Sequence, residues 1–312
     1  MQTSPIDIID SKTIKKEFPQ LEIQYHNRAS YKIHNDGKTL IIFFDDSVDK
    51  RLKISGGPLD NIYIAKETRI TWGHDLHTGS EHRVNGNSYV GEFQIIHWNK
   101  KYRDFDEASH NTDGIAIISF LLELGNKNIF LDKIIDYIPN VLYANSSVEF
   151  KDFNPGYLLP KCTSYWTYNG SNTSKPHMHN VKWIIFKKSV NISAEQINSF
   201  RELLSTTNND VIRRNIYSNF TPVNKTEKYL KVYSDKLECG NSIKIPPIGG
   251  LGLIGLGGGT SESSKDNYSY LLIIISVLII LILGLIIYFF YRYINKNISF
   301  DNVSYCPNEY KI

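Results

Sequence analysis

The chain has 312 residues, enough for one large domain or two ordinary ones, and a formal net charge of +3. Because the charges nearly balance, composition gives no sign of a strongly basic protein, and we expect no nucleic-acid partner. Its three cysteines, Cys162, Cys239 and Cys306, include no CxxC pair, which argues against a disulfide framework or a structural zinc site and predicts a core without disulfide bonds.

The first elements in chain order predict a domain made mainly of β-strands. Residues 1–12 contain no apolar stretch of the kind that forms a secretory signal, so we expect synthesis in a reducing cytosol. Short β-prone segments separated by turn residues follow at 39–44, 62–70, 88–97 and 182–186. Residues 115–124 are continuously apolar, a pattern that does not distinguish a strand from a helix. Residues 193–204 predict a helix with Ser193 as its N-cap.

The C-terminal part of the sequence predicts a membrane anchor. Residues 246–264 are rich in glycine and serine, so 239–268 is predicted to be a flexible stalk. The uncharged run 271–290 is long enough for a helix that crosses the ~30 Å hydrocarbon layer, and tyrosines flank both of its ends. We therefore predict a domain at 1–238, a transmembrane helix at 269–291 and a short tail at 292–312.

Several motifs occur in the order in which the α-carbonic anhydrases carry them, from about residue 4 to residue 224. They include Ser4-Pro5-Ile6, Ser55-Gly56-Gly57-Pro58-Leu59, Trp72-Gly73, Gly79-Ser80-Glu81-His82, His97-Trp98-Asn99, Leu158-Leu159-Pro160 and Tyr165-Trp166-Thr167-Tyr168. The chain thus resembles that family. The resemblance implies a mainly β (α+β) fold: a large, twisted, mostly antiparallel sheet with peripheral helices and a conical cavity on one face.

The resemblance also implies a zinc site, but the residues at its ligand positions are unsuitable. The family's chemistry needs three neutral histidines, two of them two residues apart on one strand and the third on the adjacent strand. The matching positions here are Arg69, Thr71 and Gln94. Arginine stays protonated and repels a cation, and the proton-shuttle position holds Lys38. The sequence therefore predicts no catalysis, no metal and no other cofactor.

Other residues of the family's site are retained. Thr173 and Glu81 match the gatekeeper pair, and Glu92 matches a carboxylate behind the metal ligands. Packing and hydrogen bonding explain their retention at least as well as residual activity. The pair His177 and His179 is interpreted as surface histidines, because no third ligand is evident.

The overall layout resembles the poxvirus branch of the family, whose members are anchored in the virion membrane and attach to cells. That resemblance implies a single-pass protein with its N-terminal domain on the virion surface, bound to sulfated glycosaminoglycan, chondroitin sulfate in particular. It also adds weight to a disulfide-linked homodimer through Cys239. The alternative is an inactive enzyme fold that docks a host or virion protein.

Cationic residues near the predicted cavity are the candidates for glycan binding, because gathered charges can attract a polyanion even on a nearly neutral domain. The candidates are Lys38, Arg69, Lys100, Lys101, Arg103 and Lys175. Two alternatives remain open at this point. Lys100, Lys101 and Arg103 could form an ordinary solvated loop, and Arg69 could either bind an anion or pair with Glu81 or Glu92.

Overall fold

A computed structural model describes residues 4–47, 51–173, 180–223 and 230–236. The chain divides into two units, Met1–Pro247 and Ile248–Ile312, the second of which lies wholly outside the described residues. The predicted stalk, membrane span and tail at 239–312 also lie outside them. Within the described ranges, no helix combines the length and apolarity needed to cross a bilayer.

The described residues form fourteen strands, three short α-helices and several turns of 3-10 helix. The strands are β1 (Asp7–Ile8), β2 (Ile14–Lys16), β3 (Glu22–Gln24), β4 (Ser30–Asn35), β5 (Leu40–Phe44), β6 (Lys53–Ser55), β7 (Tyr63–Trp72), β8 (Arg83–Val84), β9 (Gly91–Asn99), β10 (Ile115–Leu124), β11 (Ser147–Glu149), β12 (Tyr165–Gly170), β13 (Val181–Ile192) and β14 (Tyr233–Asp235). The helices are α1 (Phe105–Ser109), α2 (Ile129–Ile135) and α3 (Ala194–Arg201).

Twelve of these strands form one sheet, in which the main path runs β11-β4-β5-β7-β9-β10-β13-β12-β14-β2. Most neighbours are antiparallel, while β10 pairs with β13 and β14 pairs with β2 in parallel. Strands β1 and β8 form a separate parallel pair. The large, mostly antiparallel sheet predicted from the resemblance is therefore confirmed.

Alternating side chains of the central strands supply two separate apolar cores. On β10, Ala116, Ile118 and Phe120 pack into the larger core, and Ile115 and Ile117 pack into the smaller one on the opposite face. A strand that is covered on both faces must be apolar at nearly every position. This explains why the segment 115–124 has no alternation of apolar and polar residues.

The predicted elements lie where the sequence placed them, although β13 extends six residues beyond the predicted segment 182–186. The apolar run 115–124 is strand β10, so the structure decides between the two alternatives. Ser193 caps α3 by accepting a hydrogen bond from the Gln196 backbone, and the Gln196 side chain accepts one from the Ser193 backbone in return. This reciprocal capping satisfies two backbone donors that a helix start otherwise leaves unpaired.

The prediction of a domain without disulfide bonds is wrong. Cys162 is disulfide-bonded, although composition suggested free thiols. Its partner and the predicted intermolecular disulfide at Cys239 both lie outside the described residues. Three widely spaced cysteines do not reveal a tertiary pairing, because two residues far apart in sequence become neighbours only through the sheet topology.

Candidate functional site

The three residues at the family's metal-ligand positions lie together on neighbouring strands. Arg69 and Thr71 are two residues apart on β7, so their side chains share one face of the sheet. Arg69 pairs directly with Gln94 on β9, and Thr71 pairs with Glu92. The strand register therefore makes these three residues neighbours.

Gln94 is held by two buried carboxylates. Its side-chain nitrogen donates to Glu81 Oε2 at 2.7 Å and to Glu92 Oε1 at 3.1 Å. Because ionised carboxylate oxygens only accept hydrogen bonds, the amide must turn its NH2 group toward them. Both donor hydrogens of Gln94 thus face the protein, away from any ion at the ligand position.

Arg69 and Thr71 are also committed to protein partners. Arg69 donates through Nε to Glu67 Oε1 at 2.8 Å and approaches the same oxygen through a terminal guanidinium nitrogen at 2.6 Å. The expectation that Arg69 pairs with Glu81 or Glu92 is wrong, because those carboxylates bind Gln94 and Glu67 lies closer on the same strand. Thr71 donates its hydroxyl to the Gly79 carbonyl at 2.8 Å.

Behind these residues, Glu92 anchors a buried chain of polar groups. Its carboxylate accepts from the backbone nitrogen of His82 at 2.8 Å, from Ser119 Oγ at 2.6 Å, and lies 2.9 Å from His82 Nδ1. Burial by itself raises the pKa of Glu92, but the nearby His82 and the hydrogen bonds outweigh that effect and hold the pKa below its usual value. The other His82 nitrogen lies 2.7 Å from the Tyr168 hydroxyl.

The pKa of Glu81 is shifted in the opposite direction to that of Glu92. Burial and the neighbouring Glu92 charge raise the pKa of Glu81, while hydrogen bonds from Gln94 and Thr173 oppose the rise. The contact with Thr173 confirms the gatekeeper pair expected from the resemblance. The retained carboxylates are thus fully engaged in hydrogen bonds, which gives them a structural role that requires no catalysis.

The residues at the ligand positions do not fit a zinc ion. A guanidinium repels the ion, the Thr71 hydroxyl and the Gln94 amide act as donors to protein oxygens, and no imidazole is present at any of the three positions. In the described part of the chain, no group of three or more His, Cys, Asp or Glu side chains is arranged to hold a metal.

The predicted glycan-binding cations fall into two separate groups. Lys38 is exposed in the turn between β4 and β5, close to the Arg69 end of β7, since neighbouring Thr39 donates to the Ile70 carbonyl at 2.7 Å. Lys100 lies just beyond β9, where its backbone bonds to Ile62 at the opposite end of β7. Six residues separate Gln94 from Lys100, which corresponds to about 20 Å along a strand.

The prediction that Lys100, Lys101 and Arg103 surround the mouth of the lost metal site is therefore wrong. Lys101 pairs with Asp113 at 2.5 Å and Arg103 pairs with Asp104 at 2.9 Å. Lys100 and Lys101 instead line a shallow surface depression of about 500 Å³ that also contains the carboxylate residue Asp60. Lys175, together with His177 and His179, lies outside the described residues.

One cation that the sequence did not single out lies on the same face as Arg69. Lys32 on β4 extends over the ring of Phe43, with its ammonium 4.4 Å from the ring centroid. Within the described ranges, no carboxylate forms an ion pair with Lys32, Lys38 or Lys100. The alternation Lys32-x-His34 was the signal available in the sequence. Only the strand register shows that both residues lie on the same face as Arg69.

Comparisons with known proteins agree with the fold. A family model described as eukaryotic-type carbonic anhydrase matches residues 1–233. Carbonic anhydrase 7 from Mus musculus is 38% identical over 221 residues, covering 70% of this chain and 83% of that protein. The mitochondrial carbonic anhydrase 5B from Mus musculus is 36% identical over 204 residues, covering 65% of this chain and 64% of that protein. The chain therefore belongs to the eukaryotic-type carbonic anhydrase family.

Proposed function

We propose that this chain is a catalytically inactive carbonic anhydrase relative that binds sulfated glycosaminoglycan, chondroitin sulfate in particular, on cell surfaces. The observation that carries the proposal is the arrangement of Arg69, Thr71 and Gln94. Their polar groups bond to Glu67, Gly79, Glu81 and Glu92. A site closed in this way supplies neither a metal ligand nor a bound hydroxide for hydration of carbon dioxide.

A polyanion is the preferred ligand because unneutralised cations lie on the domain surface. The ammonium groups of Lys32 and Lys38 have no ion-pair partner among the described residues, and Arg69 contributes a guanidinium whose charge Glu67 partly offsets. Sulfate groups repeat along a flexible chain, so several weak contacts add up. Displaced counterions then make the affinity fall as salt rises, by analogy with nucleic-acid binding.

The biological setting belongs to the same proposal. The resemblance to the poxvirus branch supports a single-pass protein of the virion membrane, with the span at 269–291 and the N-terminal domain facing outward. A disulfide-linked homodimer through Cys239 would present two binding domains side by side, and two linked sites raise the apparent affinity for a multivalent surface.

The test is binding of the full chain to immobilised chondroitin sulfate, with chemically desulfated chondroitin as the matched control. We expect binding to the sulfated chain only, and an affinity that falls steeply between low and high salt. The same preparation is expected to leave carbon dioxide hydration at the buffer rate. Equal binding to both chains, or binding that ignores salt, would refute the proposal.

A second candidate function is docking to a host or virion protein. It is favoured by an apolar loop tip on which Val211 is 100% exposed and Ile212 is 64% exposed. Exposed adjacent aliphatic side chains are a feature of protein-binding surfaces. Enzymatic removal of chondroitin sulfate from cells distinguishes the two functions, since it abolishes attachment through a glycan and leaves attachment to a protein intact.

A further inference from the structure

Strands β4, β5 and β7 share a partly accessible face beside Arg69, which we call the open face: Lys32, His34, Phe43 and Arg69 are half-buried on it, and Ile41 and Glu67 are buried between them. Residues directly opposite one another on neighbouring strands share a face. The register places His34, Ile41, Arg69 and Gln94 in one row across β4, β5, β7 and β9. Adjacent strands lie about 4.8 Å apart, so this row extends about 14 Å.

A parallel row one step along the same strands combines a cation with an aromatic ring. Lys32 lies opposite Phe43, which in turn lies opposite Glu67. Beyond Gln94 and Ile96 the same face is covered by the smaller apolar core. The accessible part of the face is therefore limited to strands β4, β5 and β7 and does not extend across the whole sheet.

Aromatic rings cluster at the outer end of this face. The Tyr31 ring centroid is 6.3 Å from that of Phe43, and the His34 ring centroid is 6.4 Å from it. Tyr31 is 42% exposed because a register irregularity between Ser30 and Lys32 turns it outward from the strand pair. An exposed ring of this kind can pack against the C–H face of a sugar.

The cation at this end is positioned by a ring instead of a counterion. The Lys32 ammonium lies 4.4 Å from the Phe43 centroid, which restricts its movement while leaving its charge available to an anion. The residue directly opposite Lys32 on the neighbouring strand β11 is an acid, Glu149. Its carboxylate pairs with Lys151 at 2.6 Å, so it does not neutralise Lys32.

We propose that this open face is the contact surface for the glycan chain, with Tyr31 packing against a sugar ring and Lys32 and Lys38 binding sulfate or carboxylate groups. The inference rests on the proposed function and specifies where that function resides. Arg69, which pairs with Glu67, lies at the inner end of the same face. Lys100 lies four positions beyond Ile96, which is level with the Lys32 row, and thus about 14 Å away along β9. The group formed by Lys100, Lys101 and Arg103 is therefore excluded from this surface.

The experiment measures dissociation constants of full-length variants for chondroitin sulfate chains. The double variant Lys32→Ala with Lys38→Ala is expected to bind about five- to tenfold more weakly, and Tyr31→Ala about threefold more weakly. Matched controls are Lys15→Ala on the exposed β2 strand and the triple change Lys100→Ala, Lys101→Ala and Arg103→Ala. Both controls are expected to change affinity by less than about twofold.

The outcomes separate this inference from the proposed function. If the parent chain binds and only the triple variant loses affinity, or if the Lys32 and Lys38 double variant binds as the parent does, the open face is not the site although glycan binding stands. If the parent does not bind any sulfated chain, the proposed function itself fails. Unchanged circular dichroism and thermal midpoints are required of every variant, and a variant that loses affinity without unfolding supports the assignment.

Discussion

The side-chain nitrogen of Gln94 lies 2.7 Å from a carboxylate oxygen of Glu81. Through this contact Gln94, which the resemblance places at a metal-ligand position, donates a hydrogen bond to a buried carboxylate. A buried carboxylate without such a donor would carry a large desolvation cost. The hydrogen bonds from Gln94 to Glu81 and Glu92 therefore stabilise this buried cluster.

The first prediction concerns metal binding. The parent chain is expected to contain no stoichiometric zinc, whereas the triple variant Arg69→His, Thr71→His and Gln94→His is expected to bind one zinc per chain. The three positions already share a face, and Glu92 remains behind them to orient an imidazole. Elemental analysis after dialysis provides the measurement.

The control for metal binding is the double variant Arg69→His with Thr71→His, which keeps Gln94 and is expected to bind zinc far more weakly. Two imidazoles leave a tetrahedral site incomplete. One tightly held zinc in the parent chain would contradict the prediction and, with it, the assignment of the chain as inactive.

The second prediction concerns acid stability through His97. Burial lowers the pKa of His97 from 6.5 to about 3. The Tyr25 hydroxyl lies 2.6 Å from Nε2, and the Ala116 carbonyl lies 3.2 Å from Nδ1. Since the unfolded chain takes up a proton near pH 6.5 and the folded chain does not, the free energy of unfolding falls as pH drops through this window. The loss is about 3 kcal/mol between pH 6.5 and 4.

The measurement is denaturant unfolding as a function of pH for the parent and His97→Gln. Glutamine retains a donor and an acceptor but does not titrate, so the variant is expected to lose less stability across that range. His110→Gln, at an exposed histidine, is the control and should keep the parent's pH dependence. If the free energy of unfolding of His97→Gln fell with pH as steeply as that of the parent, other groups would be the cause of the stability lost in acid.

The third prediction concerns the buried chain behind Gln94. The Tyr168 hydroxyl lies 2.7 Å from His82 Nε2 and donates to Ser4 Oγ at 2.8 Å. Tyr168→Phe removes both contacts inside the protein and is expected to lower the free energy of unfolding by about 1–3 kcal/mol. Tyr217→Phe, at a side chain that is 61% exposed, is expected to change it by less than about 0.5 kcal/mol. Equal stabilities for the two variants would show that the hydrogen bonds of Tyr168 with His82 and Ser4 do not stabilise the fold.

Much of the fold was predictable because the strands carry local signals. The β-prone segments, the Ser193 cap and the collinear motifs each depend on neighbouring residues, and the motifs also gave the three ligand positions. The partner of Arg69 was not predictable, because Glu67, Glu81 and Glu92 are all carboxylates and only side-chain geometry chooses among them. The separation of Lys100 from Lys38 follows from the length of β9, which sequence alone leaves uncertain at its ends.

The open face could not be predicted from any local pattern in the sequence. Lys32 and Phe43 meet because β4 and β5 pair with an irregularity between Ser30 and Lys32. A shift by one residue would move Lys32 to the opposite face of the sheet. The disulfide of Cys162 was likewise not predictable, because no local pattern around a cysteine identifies its partner.

The last prediction identifies the partner of Cys162, which is disulfide-bonded and leaves Cys239 and Cys306 as the remaining cysteines. The Asp235 carboxylate accepts from Ser164 Oγ at 2.7 Å and from the Tyr165 backbone at 3.1 Å. The chain therefore returns close to Cys162 at Asp235. Cys239 follows only four residues later, whereas Cys306 follows seventy-one residues later. Closing the shorter loop is favoured roughly 75-fold by chain entropy.

We therefore expect an intrachain Cys162–Cys239 bond, in competition with the intermolecular disulfide predicted at Cys239 from the sequence. The measurement is peptide mapping of the full chain after free thiols are blocked and without reduction. Cys239→Ser should leave Cys162 open to alkylation, while Cys306→Ser, the matched control, should preserve the linked peptide. A Cys162–Cys306 peptide would contradict the chain-entropy argument. A Cys239–Cys239 peptide that disappears on reduction would instead establish the covalent homodimer and contradict the intrachain bond.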